Sequence, residues 1–387
     1  MPYDDELSFN FLTPTKVIFR PGATEEARIE IRSLGGERTL IVTDEGIVRA
    51  GLAERIKESL GDLCVGMFSE IPQDSGVHVV NDAAKLARSL KVDSLVSLGG
   101  GSVIDTAKAL AVILKEGGNL ADYQGMQMLD RPQTLHICIP TTAGTGSEVT
   151  FAAVVKDHDR GQKDLLFDYH LAPNVAILDP HMVSGLPPRI TAFTGMDALT
   201  HAVEAVHALQ RNPIADGLAL QAIRLIATYL HHSVQNGDDL LARGQMQIAA
   251  TMAGMAFTNA MVGLVHAMAH SLGARFGVPH GVANAILLPH GMRFNMAACA
   301  DQYALVAEAM GVSKPETSDD KSAEEAVKAI EELNKKIGLP GRLREVDVPR
   351  EGLKDCAELS LSDGAIVYNP RPVFEAEEVL DVYEEAW

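Results

Sequence analysis

The chain has 387 residues, more than a single hydrophobic core keeps absorbing, so two domains are expected. Acidic residues outnumber basic ones by 52 to 33, and the net charge of −19 argues against nucleic acid or an anionic membrane surface as a partner, leaving small molecules and further copies of the chain. The scattered Cys64, Cys138, Cys299 and Cys356 share no zinc spacing, the acidic start shows no signal-peptide pattern, and the apolar runs are broken by His, Asn, Thr and Gly; a reduced, cytoplasmic protein without a membrane span is expected.

Short β-branched runs predict strands at Lys16-Val-Ile-Phe19 and Thr39-Leu-Ile-Val-Thr43. Asp44 closes the second run. An acid at a strand end would accept hydrogen bonds from ribose hydroxyls and repel a 2′-phosphate, which favours NAD(H) over NADP(H); the plainer alternative is a turn aspartate before Gly46. Helical spacing over residues 77–90 leads to the run Ser94-Leu-Val-Ser-Leu98 and the turn Gly99-Gly100-Gly101-Ser102. Ser102 is read as the N-cap of a helix over residues 103–115, with Asp105 completing a box-like pattern, and that helix start would suit a pyrophosphate as well as it would suit an empty tight turn. The run Leu135-His-Ile-Cys-Ile139 precedes a second loop, Pro140-Thr-Thr-Ala-Gly-Thr-Gly-Ser-Glu148, rich in hydroxyls and glycines, and Val175-Ala-Ile-Leu178 is a further strand. Neither loop has the G-x-G-x-x-G order, and Asp44 precedes the glycine turn instead of following it. Alternating strands and helices predict an α/β N-terminal domain over residues 1–186, a parallel sheet with helices on both faces.

From residue 187 to 387 the pattern is all-helical, with Ala/Leu/Met-rich segments at 192–209, 213–235, 245–275 and 323–337. This half holds the most informative residues. Asp197 and His201 are four apart, as are His266 and His270, and His280 follows within Pro279-His280-Gly281. On a helix such spacing stacks two side chains one turn apart on one face, so each pair can offer two donor atoms to one ion. A lone histidine on an apolar helix is more often a packed, hydrogen-bonded residue, but five such groups in nearly uncharged segments would be costly to bury without a shared cation. Spacing alone does not choose among the five. With the glycine loops in one half and the metal candidates in the other, an active site between the two is expected.

Together with Leu186-Pro-Pro188, the long stretch Thr191–His201, Val265-His-Ala-Met-Ala-His-Ser-Leu-Gly273, Val278-Pro-His-Gly281 and Tyr368-Asn-Pro-Arg371, these motifs resemble the iron-containing (group III) alcohol dehydrogenases over nearly the whole chain, and among them members of the lactaldehyde reductase and 1,3-propanediol dehydrogenase type. Val103 and Ala267 depart modestly, standing where the family frequently has proline and glycine. The resemblance implies a Rossmann-like N-terminal domain with an all-α C-terminal domain, the dehydroquinate synthase-like architecture, in a homodimer or larger homo-oligomer. It implies Asp197, His201, His266 and His280 as metal ligands, with His270 outside the ligand set, near the nicotinamide, as a catalytic proton carrier. It also implies cofactor contacts from Asp44, Gly99, Gly100, Gly101, Ser102, Thr141, Thr142, Thr145 and Lys163, and a substrate pocket near Phe151 and Phe257.

The implied reaction is hydride transfer between a primary alcohol or diol and NAD, giving the aldehyde, with the metal polarising the substrate oxygen. Four protein ligands leave substrate as at least a fifth, which Fe2+ accepts more readily than Zn2+, though zinc is possible on affinity. The rival readings are a glycerol-dehydrogenase-like zinc polyol dehydrogenase and a dehydroquinate-synthase-like lyase. The lyase would need a Lys/Arg cluster that the metal-bearing helical segments lack.

Overall fold

A computed structural model describes residues 7–157 and 162–387; the side chains of residues 157 and 162–164 also lie outside the description. The chain forms two compact units: an α/β unit of Leu12–Thr142 and Gly146–Ser184, and a helical unit of Gly185–Trp387 with Ala143–Thr145 and, of the described N-terminal residues, 7–11.

The α/β unit runs β1 (Lys16–Phe19), α1 (Ala27–Ser33), β2 (Thr39–Thr43), α2 (Glu45–Arg49), α3 (Leu52–Leu60), β3 (Cys64–Phe68), α4 (Val77–Ser89), β4 (Ser94–Gly99), α5 (Gly101–Glu116), β5 (Gly125–Met126), β6 (Leu135–Pro140), β7 (Ala152–Asp157), β8 (Gln162–Phe167) and β9 (Val175–Leu178). Six strands form one parallel sheet in the order β1-β9-β6-β4-β2-β3, and β5-β8-β7 form a smaller mixed sheet. Successive side chains of a strand point to opposite faces, so the sheet feeds two cores. Leu40, Val42 and Leu95 pack with Val80, Ala83, Ala107 and Leu110 of α4 and α5. Ile41, Val96, Ile137 and Ile177 pack with Ala27, Ile31, Ile56 and Leu60 of α1 and α3. This is the expected α/β layering.

Lys108 of α5 is buried and gives its ammonium to Thr150 O (2.8 Å), Thr150 Oγ1 (3.0 Å) and Ala152 O (2.8 Å), fixing the start of β7. These three acceptors match its three hydrogens.

The helical unit contains α6 (Pro188–His207), α7 (Pro213–Gln235), α8 (Leu240–Ala260), α9 (Leu264–Phe276), α10 (His280–Ala309), α11 (Asp319–Lys336), α12 (Leu353–Leu361) and α13 (Ala376–Ala386). Helix α6 packs against α7, α8 and α10, and every residue from Gly195 to His207 is buried. At 30 residues α10 is the longest described helix; its course is interrupted at Cys299, whose φ of −148° and ψ of 35° are not helical. No single helix among the described residues is long and apolar enough to cross a membrane.

Two expectations are corrected. Residues 245–275 are not one helix: α8 ends at Ala260, Met261 takes a φ of 71°, and α9 leaves at 105°. The new direction is capped from far along the chain, because Asn369 Oδ1 accepts from Leu264 N–H (3.2 Å) and a Glu204 oxygen from Val265 N–H (2.9 Å). Ser102 is not an N-cap either. Three consecutive glycines let α5 begin two residues earlier, with Gly100 in the cap position and no side chain capping it. Ser102 Oγ accepts from Asp74 N–H (3.2 Å) instead, and Asp105 Oδ2 from Val154 N–H (3.1 Å).

His136 of β6 is buried, its Nε2 2.8 Å from Ser97 Oγ on the neighbouring strand. Burial, helped by the charge of Lys108, pushes its pKa down to about 3 from the ordinary 6.5. The unfolded chain therefore takes up a proton that the fold refuses. Stability from this group is complete above the ordinary value and is lost as pH falls from there toward the folded value, by up to about 1.4 kcal/mol per pH unit. Thermal melts of wild type and His136→Gln from about pH 7 down to about pH 4 should show the shallower decline in the variant; parallel declines would show that His136 carries none of the acid sensitivity.

Candidate metal centre

Three helices supply four donors. Asp197 and His201 lie one turn apart on α6, His266 lies on α9 and His280 opens α10. One ligand atom from each lies within 4.8 Å of all the others. Close backbone approach makes this possible: a Cβ on Gly281 would stand 2.2 Å from Phe193 O of α6, so the residue after His280 has no room for a side chain. Glycine at Gly195 likewise lets α6 approach Leu230 of α7, where a Cβ would meet a side-chain carbon at 2.3 Å.

The electrostatics of the group favour a cation. Burial lowers the pKa of His201 and His266, outweighing the attraction of Asp197, so their rings are neutral bases with lone pairs available. His280 shifts in the same direction, although 34% of its side chain is open to solvent. Burial opposes ionisation of Asp197, but the surrounding histidines and Asn284 prevail and hold its pKa below the ordinary value.

Asn284 Nδ2 faces three acceptors, Asp197 Oδ1 at 2.7 Å, His280 Nε2 at 3.1 Å and His266 Nε2 at 3.4 Å. An amide has two hydrogens, so acceptors exceed donors. His280 Nε2 also lies only 3.4 Å from Asp197 Oδ1. A buried group of this composition suits a divalent ion, and three imidazoles with one carboxylate are a donor set acceptable to iron and zinc alike.

His270 stands outside the four-donor group, its ring stacked on that of His280 with centroids 5.2 Å apart at 13°. Phe257 of α8 is stacked on the His201 ring, centroids 4.2 Å apart. Phe151 belongs to the α/β unit, is 1% exposed, and has its ring against Phe167 and Tyr169.

Three residues of this neighbourhood were not read from the sequence. Glu204 follows Asp197 and His201 at one-turn intervals on the same face of α6, a periodic signal that was available. Its carboxylate accepts from the backbone N–H groups of Val265 (2.9 Å) and His266 (3.3 Å) and bonds Nδ1 of the His266 ring. Burial raises the Glu204 pKa, partly offset by His207 and these backbone donors. Asn284, one turn after His280, carries a similar helical signal. Asp363 carries none, being 93 residues from the His270 Nδ1 it meets at 2.8 Å. Burial works against the Asp363 anion, but the hydrogen bond and charge of His270 with the N–H of Ala365 hold its pKa at about 2.

The cofactor candidates cluster in the α/β unit at the carboxyl ends of adjacent parallel strands. Asp44 follows β2, Gly99 ends β4 with Gly100 to Ser102 directly after it, and Thr141 and Thr142 follow β6. Thr141 N–H donates to Gly99 O (3.0 Å), and a Cβ on Gly100 would touch the Thr142 side chain at 3.3 Å, so the two loops are locked together. The first turn of α5, uncapped by any side chain, lies in this cluster. Asp44 also caps α2, accepting from Ile47 N–H at 3.0 Å. Thr145 groups with the helical unit, and the side chain of Lys163, in β8, lies outside the described residues.

A model of the iron-containing alcohol dehydrogenases matches residues 14–180, and one of the C-terminal part of the Fe-containing alcohol dehydrogenase family matches residues 191–387. The chain is 37% identical over 364 residues to an NAD-dependent methanol dehydrogenase of Bacillus methanolicus, covering 94% of this chain and 96% of that one. It is 38% identical over 383 residues to a 1,3-propanediol dehydrogenase of Klebsiella pneumoniae, covering 98% and 99%. A crystal structure of a 1,3-propanediol oxidoreductase superposes with a TM-score of 0.96 at 37% identity, covering 98% of this chain and 100% of that one.

Since Glu204 holds His266 by its ring nitrogen and by its backbone, Glu204→Gln should weaken divalent-metal affinity by about 10- to 100-fold. Titration of the metal-stripped variant with Fe(II) or Zn(II) reads this directly, and an affinity equal to wild type would deny Glu204 any part in setting the ligand.

Proposed function

The chain belongs to the iron-containing alcohol dehydrogenase family, and from that we propose that it interconverts a primary alcohol or diol and its aldehyde with NAD(H), using a divalent metal held by Asp197, His201, His266 and His280. The observation that carries the reading is the convergence of these four donors, with acceptors in excess, inside the helical unit. Fe2+ is the proposed metal, with Zn2+ as an alternative occupant. A cation bound there supplies Lewis acidity to the oxygen of the alcohol or aldehyde.

The protein's own groups divide the remaining work. Neutral imidazoles at His201, His266 and His280 give lone pairs to the cation, and the Asp197 carboxylate offsets part of its charge. Phe257, stacked on His201, gives the substrate an apolar wall. His270 exchanges the substrate proton with solvent, taking it in alcohol oxidation and returning it in aldehyde reduction. Asp44 accepts from the ribose hydroxyls of NAD. The start of α5, with Gly99, Gly100, Gly101 and Ser102, receives the pyrophosphate, while Thr141, Thr142, Thr145 and Lys163 give further polar contacts.

We also propose a homodimer. Strand β1 is a sheet edge paired only with β9 among the described residues, and Val17 and Phe19 on it are exposed. Four unpaired cysteines suit a reducing, cytoplasmic setting.

A panel of short primary alcohols, diols and aldehydes with NAD(H), repeated with Fe(II) and Zn(II), tests the reaction class; metal-independent turnover would sink it. His266→Ala should abolish alcohol-dependent NADH formation and strip the metal while the fold survives, and wild-type turnover with full metal content in that variant would remove His266 from the site. Asp44→Gly should raise the use of NADP relative to NAD, whereas an unchanged ratio would exclude Asp44 from the ribose site.

A further inference from the structure

Helix α9 carries two histidines one turn apart, and each has its Nδ1 taken by a carboxylate from elsewhere in the chain: His266 by Glu204, and His270 by Asp363 at 2.8 Å. The two rings then face different tasks. His266 Nε2 points into the four-donor group, whereas His270 lies beside that group, 35% exposed and stacked over His280. An ionised carboxylate only accepts, so in the neutral form of the His270 ring the proton belongs on Nδ1 and the lone pair on Nε2.

We propose that Asp363 is a positioning residue for His270, fixing its tautomer and ring rotation so that Nε2 is the one atom offered to the substrate or to a cofactor hydroxyl. This rests on the proton-carrying role of His270 proposed above. The chemistry balances simply. As the alcohol loses hydride to NAD, its hydroxyl proton passes to Nε2 and then to solvent, and the reduction runs the same path backwards.

The carboxylate that does this is itself held. Asp363 Oδ1 accepts from Ala365 N–H at 2.8 Å, capping the short turn Gly364–Tyr368, so the group cannot swing away from the ring. The segment is tied to α9 at its other end as well. Asn369 Oδ1 accepts from Leu264 N–H (3.2 Å) and from Asn295 Nδ2 (2.9 Å), while Tyr368 O accepts from Leu209 N–H (2.9 Å). Residues 363 to 369 therefore brace α9 at its first residue and again at His270. The Asp363 contact is the part of this brace that reaches a ring open to solvent.

Asp363→Asn separates the roles, because its amide oxygen can still cap Ala365 while the negative charge is gone. In the metal-loaded enzyme kcat should fall by about 10- to 100-fold, with metal content and the KM for NAD unchanged, and Asp363→Glu should recover much of the loss. Nitrogen-15 spectra of histidine-labelled protein should show His270 protonated at Nδ1 in wild type and a shift toward the other tautomer in Asp363→Asn, a readout independent of turnover. In a His270→Gln background the Asp363→Asn change should cost nothing further. If His270→Gln turns over like wild type, the role of His270 falls and this proposal with it. If His270→Gln is slow but Asp363→Asn is not, if the two losses simply multiply, or if the His270 tautomer is the same in both proteins, His270 keeps its role and the positioning by Asp363 is overturned.

Discussion

The helical unit is organised around one buried carboxylate at the start of a helix. Glu204 accepts from Val265 N–H and His266 N–H, two of the donors that the opening of α9 leaves without intrahelical partners, and the same group holds the His266 ring. A negative charge at a helix N-terminus is stabilised by the local dipole, which helps to offset the cost of burying it. The same contact redirects the chain after Ala260 and turns His266 toward Asp197 and His280. Gly263 fits the arrangement because a Cβ there would come within 2.8 Å of Asn369 Oδ1 and 3.3 Å of Glu204 Oε1.

Around this anchor the unit gathers lone pairs. Three imidazoles, one carboxylate and the Asn284 amide lie in an interior otherwise built from Ala, Leu, Met and Val, and burial keeps the two deeper imidazoles uncharged. Such a group is costly to build unless something positive is shared among its members. The alcohol chemistry of the family follows from that deficit of positive charge, since a cation that completes the donor set can still accept an oxygen from substrate.

Much of this was legible because the relevant signals are local. Strands Lys16–Phe19, Thr39–Thr43 and Val175–Leu178 fall where the β-branched runs lie, and α7 where its spacing placed it. Asp197 with His201, and His266 with His270, betray themselves by a one-turn interval. What could not be read depends on distant residues. The break between α8 and α9 is capped by Glu204 and Asn369, neither of which is near it in sequence, so an unbroken apolar pattern over 245–275 gave no warning. Strand β3 is interrupted in composition by Gly66, whose missing side chain leaves room for Leu90 (a Cβ would lie 2.5 Å from Leu90 Cδ1). Ser102 had the right chemistry for a cap, yet three glycines before it let the helix start sooner. The partner of His270 was beyond any local pattern.

Helix α10 gives the site a mechanical reach. His280 is its first residue, and the next, Gly281, is seated directly on the backbone of α6, so His280 moves only as the helix moves. From His280 to the irregularity at Cys299 the helix extends for about 28 Å at the usual rise per residue, packed along its length by α6, α7, α9, α11 and α13. That portion carries a candidate metal ligand at its first residue and ends at the irregularity at Cys299. The buried faces of the helix on both sides of Cys299 belong to the one core that seats His280, so that ring's place is set by packing well beyond its own neighbours.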